Sequence, residues 1–378
     1  MKNKYLLNMQ MFAGTADVMN TTGDAGMSVE MKTFYDDTLI DIAGPQLVHD
    51  QFADKRPIPQ GNGKTIEFRK YDNLPKAMTP LVEGVTPEGG KLNVTNITAT
   101  VDQYGYYVTI TDMLKMTAID DNIVQASKKL GNQAGLTLDC ITRDVLAGGT
   151  SVYFPNGKTS REELDTDDVI SEKLLGRVKA HLKTMNAPEI DGSYIGIIHP
   201  EIEEDLTNLP GWIDVAKYAE PGKIFDGEIG KYKGIRFVTT SNSKVWKDDT
   251  CPAKGWTAST DTEVDPEKTY YTRSGSSGAY TYTKVETPTG NPSTSGYYEK
   301  DPYAVFSILV VGSGAYATTE VKGGGLQMIV KQLGSGEDPL NQRSTVGWKA
   351  VKVSERLVEQ YMCRIECMSP VSDTVDGN

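Results

Sequence analysis

Several glycine-containing segments have residue types that could bind phosphate or carry a nucleophile. QGNGKT, at Gln60–Thr65, imitates the end of a phosphate-binding loop, but Ile58 occupies the position of that motif's first glycine. The segment also leads into a predicted strand, whereas the motif requires a helix. The glycines at 312, 314 and 323–325 lack the spacing of a dinucleotide fingerprint, and Ser313 lacks the flanking glycines of a nucleophile elbow. We interpret all of these glycines as residues of turns.

The titratable side chains show no catalytic pattern either. The three histidines, His49, His181 and His199, are far apart, and none has a neighbouring ligand at helical spacing. His199 precedes Pro200, which predicts the start of a helix. The acids within Glu201–Asp205 could bind a hard cation, but charged residues at a helix start are usually a solvated face. We therefore predict no catalytic, cofactor-binding or metal-binding residue.

The four cysteines are too few and too scattered for a disulfide framework, which fits a reducing compartment. Cys363 and Cys367 lie in a predicted strand, where four residues span about 13 Å, so a shared metal is not expected. We interpret both as small apolar side chains of the core.

Composition excludes further classes. The chain has 378 residues, a formal net charge of -12 and 38% hydrophobic residues, enough for two or three domains with a sizeable core. The longest apolar run, Tyr303–Val311, is too short to cross a bilayer, and the N-terminus lacks the features of a secretion signal. A protein that recognises a nucleic-acid sequence concentrates Lys and Arg on one face. The negative net charge argues against a sequence-specific nucleic-acid-binding protein.

The longest helical pattern runs from Thr117 to Gly149. Apolar residues recur there at steps of three and four, namely Ile119, Ile123, Leu130, Ala134, Leu138, Ile141 and Val145. Thr117 and Asp120 predict a capping box at the start, and a glycine pair predicts the end. Roughly 29 residues would reach about 43 Å, so we predict a spine helix. Its two internal glycines indicate a bend or a close backbone approach.

The residues before the spine predict an arm, two short helices and a long two-stranded loop. Residues 1–30 show no sustained period and contain one apolar patch, Leu6–Ala13. Helical spacing over Met31–Phe52 is interrupted at Gly44–Pro45, which predicts two helices. Two long predicted strands, 64–72 and 94–110, flank the turn-rich segment Asp72–Gly90. A lone ribbon is marginal in water, so we expect it to pack on another copy.

The residues after the spine predict a mixed α/β body with an insertion. A helix ending at Pro188, a buried strand within 192–200, a short helix within 201–212 and a strand within 230–242 follow in order. Ser243–Lys300 is richer in Thr, Ser, Tyr and Gly, and it predicts a hairpin around Ser274–Gly278. We interpret it as an insertion, with the strands before and after it in one sheet. Three strand regions close the chain, at 301–321, 326–332 and 348–368.

This order of parts resembles the major capsid protein of tailed bacteriophages, the Hong Kong phage fold. Four segments are similar to the major capsid family named after the coliphage N-four. They are MKTFYDDTLI, LVHDQFADKRPIPQGNGKTIEFRKYDNLPKAMTPLVEGVTPEG, the run from ITATVDQYGYYVTITDML through GLTLDCITRDVLAGGT, and DPLNQRSTVGWKA. LLNMQMFA resembles the start of capsid proteins from phages of Gram-positive hosts. The match covers Met31–Ser243 and Asp301–Pro370, and the insertion departs from the family pattern.

The resemblance implies an α+β fold and a structural, non-enzymatic role. Copies of the chain would form the pentamers and hexamers of an icosahedral head shell around double-stranded DNA, held without sequence-specific recognition. Expected partners are portal and scaffolding or head-completion proteins, with no cofactor and no membrane. The expected location is the virion, after assembly in the host cytoplasm.

The implied domain order is an arm (1–30), a helical segment (31–56), an extended loop (57–112), the spine helix and peripheral domain (113–192), the first part of an axial domain (193–242), the insertion (243–300), return strands (301–369) and a tail (370–378). Basic residues on the loop are expected to face acids of an adjacent subunit. The candidate inter-subunit residues are Lys64, Arg69, Lys70, Glu83 and Glu88.

Two other classes stay open on the residues alone. An α/β enzyme would need a convergent cluster of titratable residues, and a monomer that turns over a substrate would favour it. A surface carbohydrate-binding or adhesion protein is suggested by the Tyr- and Thr-rich insertion, but it would need a secretion signal. Electron microscopy of the chain expressed alone would separate shells from monomers.

Overall fold

The computed structural model describes residues 47–57, 64–71, 74, 76–78, 80–81, 83–84, 86, 89–117, 122–214, 228–276, 279–319, 326–331 and 340–378. The described helices are α1 (Asp112–Thr117), α2 (Asn122–Ala147), α3 (Glu172–Thr184), α4 (Pro200–Thr207) and α5 (Pro292–Ser295). The strands of the first half are β1 (Asp54–Arg56), β2 (Thr65–Tyr71), β3 (Val94–Thr100), β4 (Asp102–Thr111), β5 (Val152–Tyr153), β6 (Tyr194–Ile198), β7 (Ile213–Asp214), β8 (Glu228–Tyr232), β9 (Ile235–Thr239) and β10 (Val245–Trp246). The later strands are β11 (Ala253–Ala258), β12 (Tyr271–Ser276), β13 (Ala279–Lys284), β14 (Tyr297–Pro302), β15 (Val305–Val311), β16 (Tyr316–Thr319), β17 (Leu326–Lys331), β18 (Arg343–Lys352), β19 (Ser354–Arg356) and β20 (Met362–Cys367).

The predicted spine is α2, a helix of 26 residues. Its end agrees with the prediction, because the amides of Gly148 and Gly149 close the last turn on Asp144 and Leu146 at 3.1 Å. Its start differs: Thr117 is the last residue of α1, and residues 118–121 lie outside the described part of the chain. A separate short helix therefore precedes the spine.

The buried face of α2 is only partly the predicted one. Leu130, Ala134 and Leu138 are buried, as are both internal glycines, whereas Ile141 and Val145 are only partly buried. In the last turns the buried positions shift to Asp139, Thr142 and Leu146. Polar side chains can occupy a helix face inside a protein when they are hydrogen-bonded there.

The described chain falls into two compact units. The first contains the described residues of 103–135 and 326–351. Its sheet has the order β17-β18-β4, and alternate residues of β18 are buried. Trp348 of β18 is buried, and its indole nitrogen donates to Gln133 Oε1 of α2 at 3.2 Å. Strand β4 therefore pairs with β18 and is not part of the two-stranded loop, contrary to the expectation for 94–110.

The second unit contains the described residues of 47–102, 136–319 and 352–378. Its main sheet has the order β5-β20-β15-β6-β9-β8-β7, with β10 paired to β15. All seven residues of β15 and all five of β6 are buried, as expected for central strands that carry continuous apolar runs. Buried side chains of α3 and α4 pack against this sheet in one core cluster.

Three local predictions in the second unit have definite outcomes. The strand predicted within 230–242 is two antiparallel strands, β8 and β9, because Lys233 and Gly234 adopt positive φ and form a tight turn. The end of the second predicted N-terminal helix is instead a pair of turns, in which Gln51 and Ala53 donate to Val48 and Asp50. The rest of that prediction, and the predicted arm, lie outside the described residues.

The four-stranded sheet within the predicted insertion has the order β11-β14-β12-β13 and is antiparallel throughout. The hairpin predicted around Ser274–Gly278 is β12–β13. Strands β9 and β15, before and after this segment, lie in one sheet with β6 between them. The sheet itself spans Ala253–Pro302, and the amide of Tyr303 donates to the carbonyl of Pro252 at 2.9 Å, so its two ends meet.

Candidate functional site

Strands β2 and β3 form an antiparallel hairpin that is anchored at its base. Pairing runs from Thr65 opposite Thr100 to Tyr71 opposite Val94. Near the base, Ile66, Phe68 and Ala99 are buried in a cluster with Ala317 of β16. Burial of these apolar side chains fixes the root of the hairpin on the chain's own second unit.

The segment beyond the paired ends of this hairpin exposes large apolar side chains. Met78 is 82% exposed and Leu81 is 78% exposed; Leu74 and Leu92 are also exposed, and so is Val94, at the paired end of β3. We call these five residues the loop-tip patch. Apolar side chains grouped on one exposed segment are typical of a surface that another chain covers.

The charged loop residues lie on the same hairpin without forming a cluster. Lys64 is exposed next to the start of β2, and Glu83 is exposed in a turn. Arg69 Nη2 lies 3.8 Å from Glu67 Oε2, and both side chains are more than half exposed, so this ion pair adds little stability. Lys70 is described through its backbone pairing with Thr95, and Glu88 lies outside the described residues.

The first unit has a second exposed apolar surface, which sequence reasoning did not find. Tyr107 of β4 is 68% exposed and Met116 of α1 is 80% exposed, and Tyr106, Met113 and Leu114 are exposed as well. A groove of about 490 Å³ between β4 and α2 is lined by Tyr106, Val108, Leu114 and Leu130, among others. The sequence signal was an apolar run through β4 and α1 with more large side chains than one buried face can hold.

Two glycines shape the other side of the first unit's sheet. A Cβ at Gly347 would lie 2.7 Å from Tyr107 Cβ, and a Cβ at Gly105 would lie 2.7 Å from the carbonyl oxygen of Trp348. Next to Gly347 lies a shallow groove of about 540 Å³ that is also lined by Ile329 and Lys349. The glycines therefore allow β4 and β18 to approach closely.

A buried polar network lies in the second unit around the C-terminal half of α2. The amide of His49 donates to Asp139 Oδ1 at 2.8 Å, and His49 Nδ1 lies 2.8 Å from Asp139 Oδ2. The side-chain amide of Asn242 also donates to Asp139, at 2.8 Å. Both His49 and Asp139 are fully buried. Asp139 thus receives three hydrogen bonds from two distant segments.

The next residue of the turn, Asp50, organises the rest of the network. Thr142 Oγ1 donates to Asp50 Oδ1 at 2.6 Å and lies 2.8 Å from Ser354 Oγ. The ammonium of Lys352 pairs with Asp50 and is fully buried. Burial lowers the pKa of Lys352, and the carboxylate of Asp50 opposes that shift. Sequence reasoning missed this network because its members are up to 302 positions apart.

The remaining residues considered in the sequence have structural roles. His199 Nδ1 accepts from the amide of Glu201 at 3.3 Å and caps α4, which confirms the predicted helix start. Cys363 and Cys367 are free and buried, as interpreted. In the part of the chain that the structure describes, no group of three or more His, Cys, Asp or Glu is placed to hold a metal ion. No described helix is long and apolar enough to span a bilayer.

The anchored hairpin with an exposed tip, the spine helix and the mixed sheet belong to a fold that is found in phage capsids. The fold matches the capsid of Ralstonia phage GP4 with a TM-score of 0.61 and 14% identity, over 87% of this chain and 89% of that chain. The capsid of cyanophage Pam1 aligns with a TM-score of 0.49 and 13% identity over 82% and 86% of the two chains. The capsid of cyanophage P-SCSP1u aligns with a TM-score of 0.47 and 17% identity over 83% and 85%. No curated protein matches the sequence.

The sequence profile of the phage capsid protein family matches residues 95–319, which is more than half of the chain, and the chain belongs to this family. It is a major capsid protein, a non-enzymatic subunit of the phage head shell whose copies assemble into capsomers. The predicted α+β capsid fold is confirmed, and the alternative of an α/β enzyme is excluded.

Proposed function

We propose that the chain forms pentamers and hexamers, and that the resulting icosahedral shell encloses double-stranded DNA without sequence-specific recognition. The net charge of -12 supports the second part, because an acidic protein does not bind phosphates through a general excess of Lys and Arg. Assembly takes place in the host cytoplasm. The partners are a portal and scaffolding or head-completion proteins, as the resemblance to tailed-phage capsids implies.

The observation that carries the proposal is the contrast between the two ends of the β2–β3 hairpin. Its base is buried against Ala317, whereas the loop-tip patch is exposed. A folded subunit gains nothing from holding apolar side chains in water, but a neighbouring copy that covers them gains their burial. The β2–β3 hairpin and its tip, within the predicted extended loop 57–112, therefore lie over an adjacent subunit, whereas β4 remains in the first unit's sheet. Lys64, Arg69, Lys70, Glu83 and Glu88 are the proposed charged contacts of that loop.

The proposed division of the remaining chain into domains follows the resemblance to tailed-phage capsid proteins. Residues 113–192 form the spine and peripheral domain. Residues 193–242 and the return strands within 301–369 form the axial part near capsomer centres, apart from the described residues of 326–351, which belong to the first unit. The arm (1–30) is assigned outside these bodies. The described residues of the helical segment (31–56) and the tail (370–378) belong to the second unit, where Phe52 and Val371 pack against its core clusters. The joint membership of β6, β9 and β15 in one sheet supports grouping 193–242 with the return strands.

Expression of the chain alone, followed by negative-stain electron microscopy and mass photometry, tests the oligomeric proposal. We expect capsomer-sized rings or closed shells. Particles that stay monomeric at every concentration, in the presence of crowding agents and at several salt concentrations, would contradict assembly without a scaffold. Rings with a symmetry other than five or six would contradict the proposed capsomers.

The four-stranded sheet of the predicted insertion (243–300) is proposed to project from the outer surface of the shell. Strand β10, at the start of that range, pairs with β15 and belongs to the body. The four-stranded sheet enters and leaves the body at neighbouring residues, Pro252 and Tyr303, so it can be added or removed without displacing the body strands. Genome and neighbouring capsomers crowd the inside and the joints, which leaves the outside for these residues.

Replacement of Ala253–Pro302 by a short Gly-Ser link tests this placement. We expect soluble subunits and shells of normal diameter, with density lost only outside. Density lost from the lumen would place the sheet inside. As a matched control, replacing only the 286–290 loop of the insertion with Gly-Ser should leave the external density in place.

A further inference from the structure

The strand register of the insertion sheet collects aromatic residues on one face. Cross-strand partners share a face of a sheet, and Tyr271 lies opposite both Tyr298 and Lys284. The same pairing places Arg273 opposite Tyr282, and it places Ala258, two residues from Trp256, opposite Tyr298. We call this surface the aromatic face, and its rings are Trp256, Tyr271, Tyr280, Tyr282 and Tyr298.

Charge is divided between the two faces of this sheet. Arg273, Lys284 and Lys300 occupy strand positions on the aromatic face. The only acids in the four strands, Glu299 and Asp301, alternate with Lys300 along β14 and so belong to the opposite face. The outer part of this face, at Arg273 and Lys284, is therefore cationic, whereas the buried Tyr271 lies next to the acids Asp249 and Glu162.

The rings of the aromatic face are packed on one another. Trp256 and Tyr282 are stacked, with centroids 4.1 Å apart and planes 4° apart. Tyr271 meets Trp256 edge-on at 4.8 Å, and Tyr298 meets Tyr282 edge-on at 5.5 Å. These four rings therefore cover one another's flat faces. A ligand would contact ring edges and phenol hydroxyl groups instead.

The outer end of this face stays open to solvent. Tyr280 is 43% exposed, and the guanidinium of Arg273 is exposed while lying 4.4 Å from the ring centre of Tyr280 and 4.7 Å from that of Tyr298. Lys284 is exposed as well, whereas the ammonium of Lys300 donates to the carbonyl of Asp249 at 2.7 Å. Arg273 is held in position by two rings and still presents donors outward.

We propose that the aromatic face binds an anionic polysaccharide. Hydroxyl groups of the sugars exchange hydrogen bonds with the phenols, and carboxylate or phosphate groups pair with Arg273 and Lys284. The role as a contact to an outside polymer rests on the proposed outward position of the insertion. The binding chemistry itself rests only on the sheet.

A single-stranded nucleic acid is the less suitable anionic polymer. Its bases stack on free ring faces along an extended positive groove. Here the main ring faces are already paired with one another, so bases have no free ring faces on which to stack.

Binding of the full-length protein to four immobilised probes tests the proposal. The probes are polygalacturonate, phosphorylated dextran, unmodified dextran and an oligothymidylate. We expect binding to polygalacturonate or phosphorylated dextran and none to unmodified dextran, and the two anionic arms identify whether carboxylate or phosphate is preferred. Arg273→Ala/Lys284→Ala should weaken this binding at least tenfold, and Tyr280→Ala should weaken it several-fold.

The matched control is Thr272→Ala/Thr283→Ala, a cross-strand pair on the opposite face, which should bind as the unsubstituted chain does. Near-ultraviolet circular dichroism of the stacked Trp256 and Tyr282 checks that each variant keeps the sheet. Failure to bind either anionic probe, equal binding to oligothymidylate, or equal loss in the control pair would overturn the proposal. Electron microscopy shows separately whether shells form and whether the insertion sheet lies on their outer or inner surface. A chain that binds the anionic probes but has the sheet on the inner surface would contradict only the proposed placement.

Discussion

His49 Nδ1 lies 2.8 Å from the carboxylate of Asp139, a residue ninety positions further along the chain and in the buried face of the spine helix. The backbone amide of His49 donates to the same carboxylate, and the hydroxyl of Tyr316 donates to the carbonyl of His49. One turn of chain directly after residue 46 is thereby tied to α2 and to β16. These hydrogen bonds hold the turn that begins at residue 47 within the second unit.

Removal of the carboxylate from this pair should strongly destabilise the subunit. Asp139→Ala leaves the donors of His49 and Asn242 without their acceptor inside the protein, and each buried donor left unsatisfied costs about 1–3 kcal/mol. Urea denaturation of unassembled subunits measures the free energy of unfolding. Lys183→Ala breaks the exposed ion pair with Glu189, 3.4 Å apart, and should change it by less than about 0.5 kcal/mol. Similar losses in both variants would contradict a special role for His49 and Asp139.

A methyl group at Gly347 should loosen the first unit's sheet. The new Cβ would lie 2.7 Å from Tyr107 Cβ and 2.9 Å from the carbonyl oxygen of Tyr106, so β4 must move away from β18. We expect Gly347→Ala to cost about 1–3 kcal/mol and to speed hydrogen exchange in β4 and β18. Gly255→Ala is the control, because a Cβ at that strand position meets no atom within 4 Å. Unchanged exchange in β4 would mean that the close approach is not needed.

Replacement of Asp72–Gly90 by a short Gly-Ser link should separate folding from assembly. The base of the hairpin keeps its buried residues, so the subunit should stay soluble and fold, while the loss of most of the loop-tip patch should prevent shell formation. Thermal unfolding monitors the first property, and negative-stain electron microscopy monitors the second. Normal shells from this variant would rule out an essential contact by the loop tip.

Reversal of the loop's basic charges should slow assembly. We expect Lys64→Glu/Arg69→Glu/Lys70→Glu to lower the rate of shell formation at low salt, with a smaller effect at high salt because screening weakens exposed charge pairs. Light scattering at several salt concentrations gives the rate. The corresponding triple substitution to Gln separates the loss of attraction from new repulsion and should have an intermediate effect. Equal rates for all three proteins at every salt concentration would remove these residues from the contact.

Alkaline pH should destabilise the subunit through its buried thiols. Burial raises the pKa of Cys363 to about 12 and that of Cys251 to about 11, from an ordinary value of 9.0. Above pH 9 the unfolded chain loses these protons while the folded chain keeps them, so stability is complete below pH 9 and falls as pH rises towards 12, by up to about 1.4 kcal/mol per pH unit for each thiol.

Melting temperatures measured between pH 7 and pH 10.5 check this sign. Cys363→Ala should lower the melting temperature at pH 7, since it leaves a small cavity, but it should make the decline above pH 9 shallower. Cys251→Ala/Cys363→Ala should flatten the decline further. A decline with the same slope in all three proteins would assign the alkaline sensitivity to other groups.

The local pattern of the sequence determined most of the secondary structure in the body. Continuous apolar runs predicted the buried strands β6 and β15, turn residues around Ser274–Gly278 predicted the β12–β13 hairpin, and steps of three and four predicted α2 and α3. These signals are readable because a side chain's face depends on its position within its own helix or strand. The resemblance to phage capsid proteins likewise came from short sequence segments, and the match to the phage capsid protein family confirms it.

Tertiary structure alone decided which elements became neighbours. The strand next to the loop, β4, pairs with β18 more than two hundred residues later, although local alternation assigned it to the hairpin with β2. The partner of Asp139 is a histidine that the sequence showed only as isolated. Pairings of this range depend on the total free energy of closing long loops and packing whole sheets, and no short window contains that information. The aromatic face has the same origin: Trp256 and Tyr282 stack because a sheet of four strands brings them together from 26 residues apart.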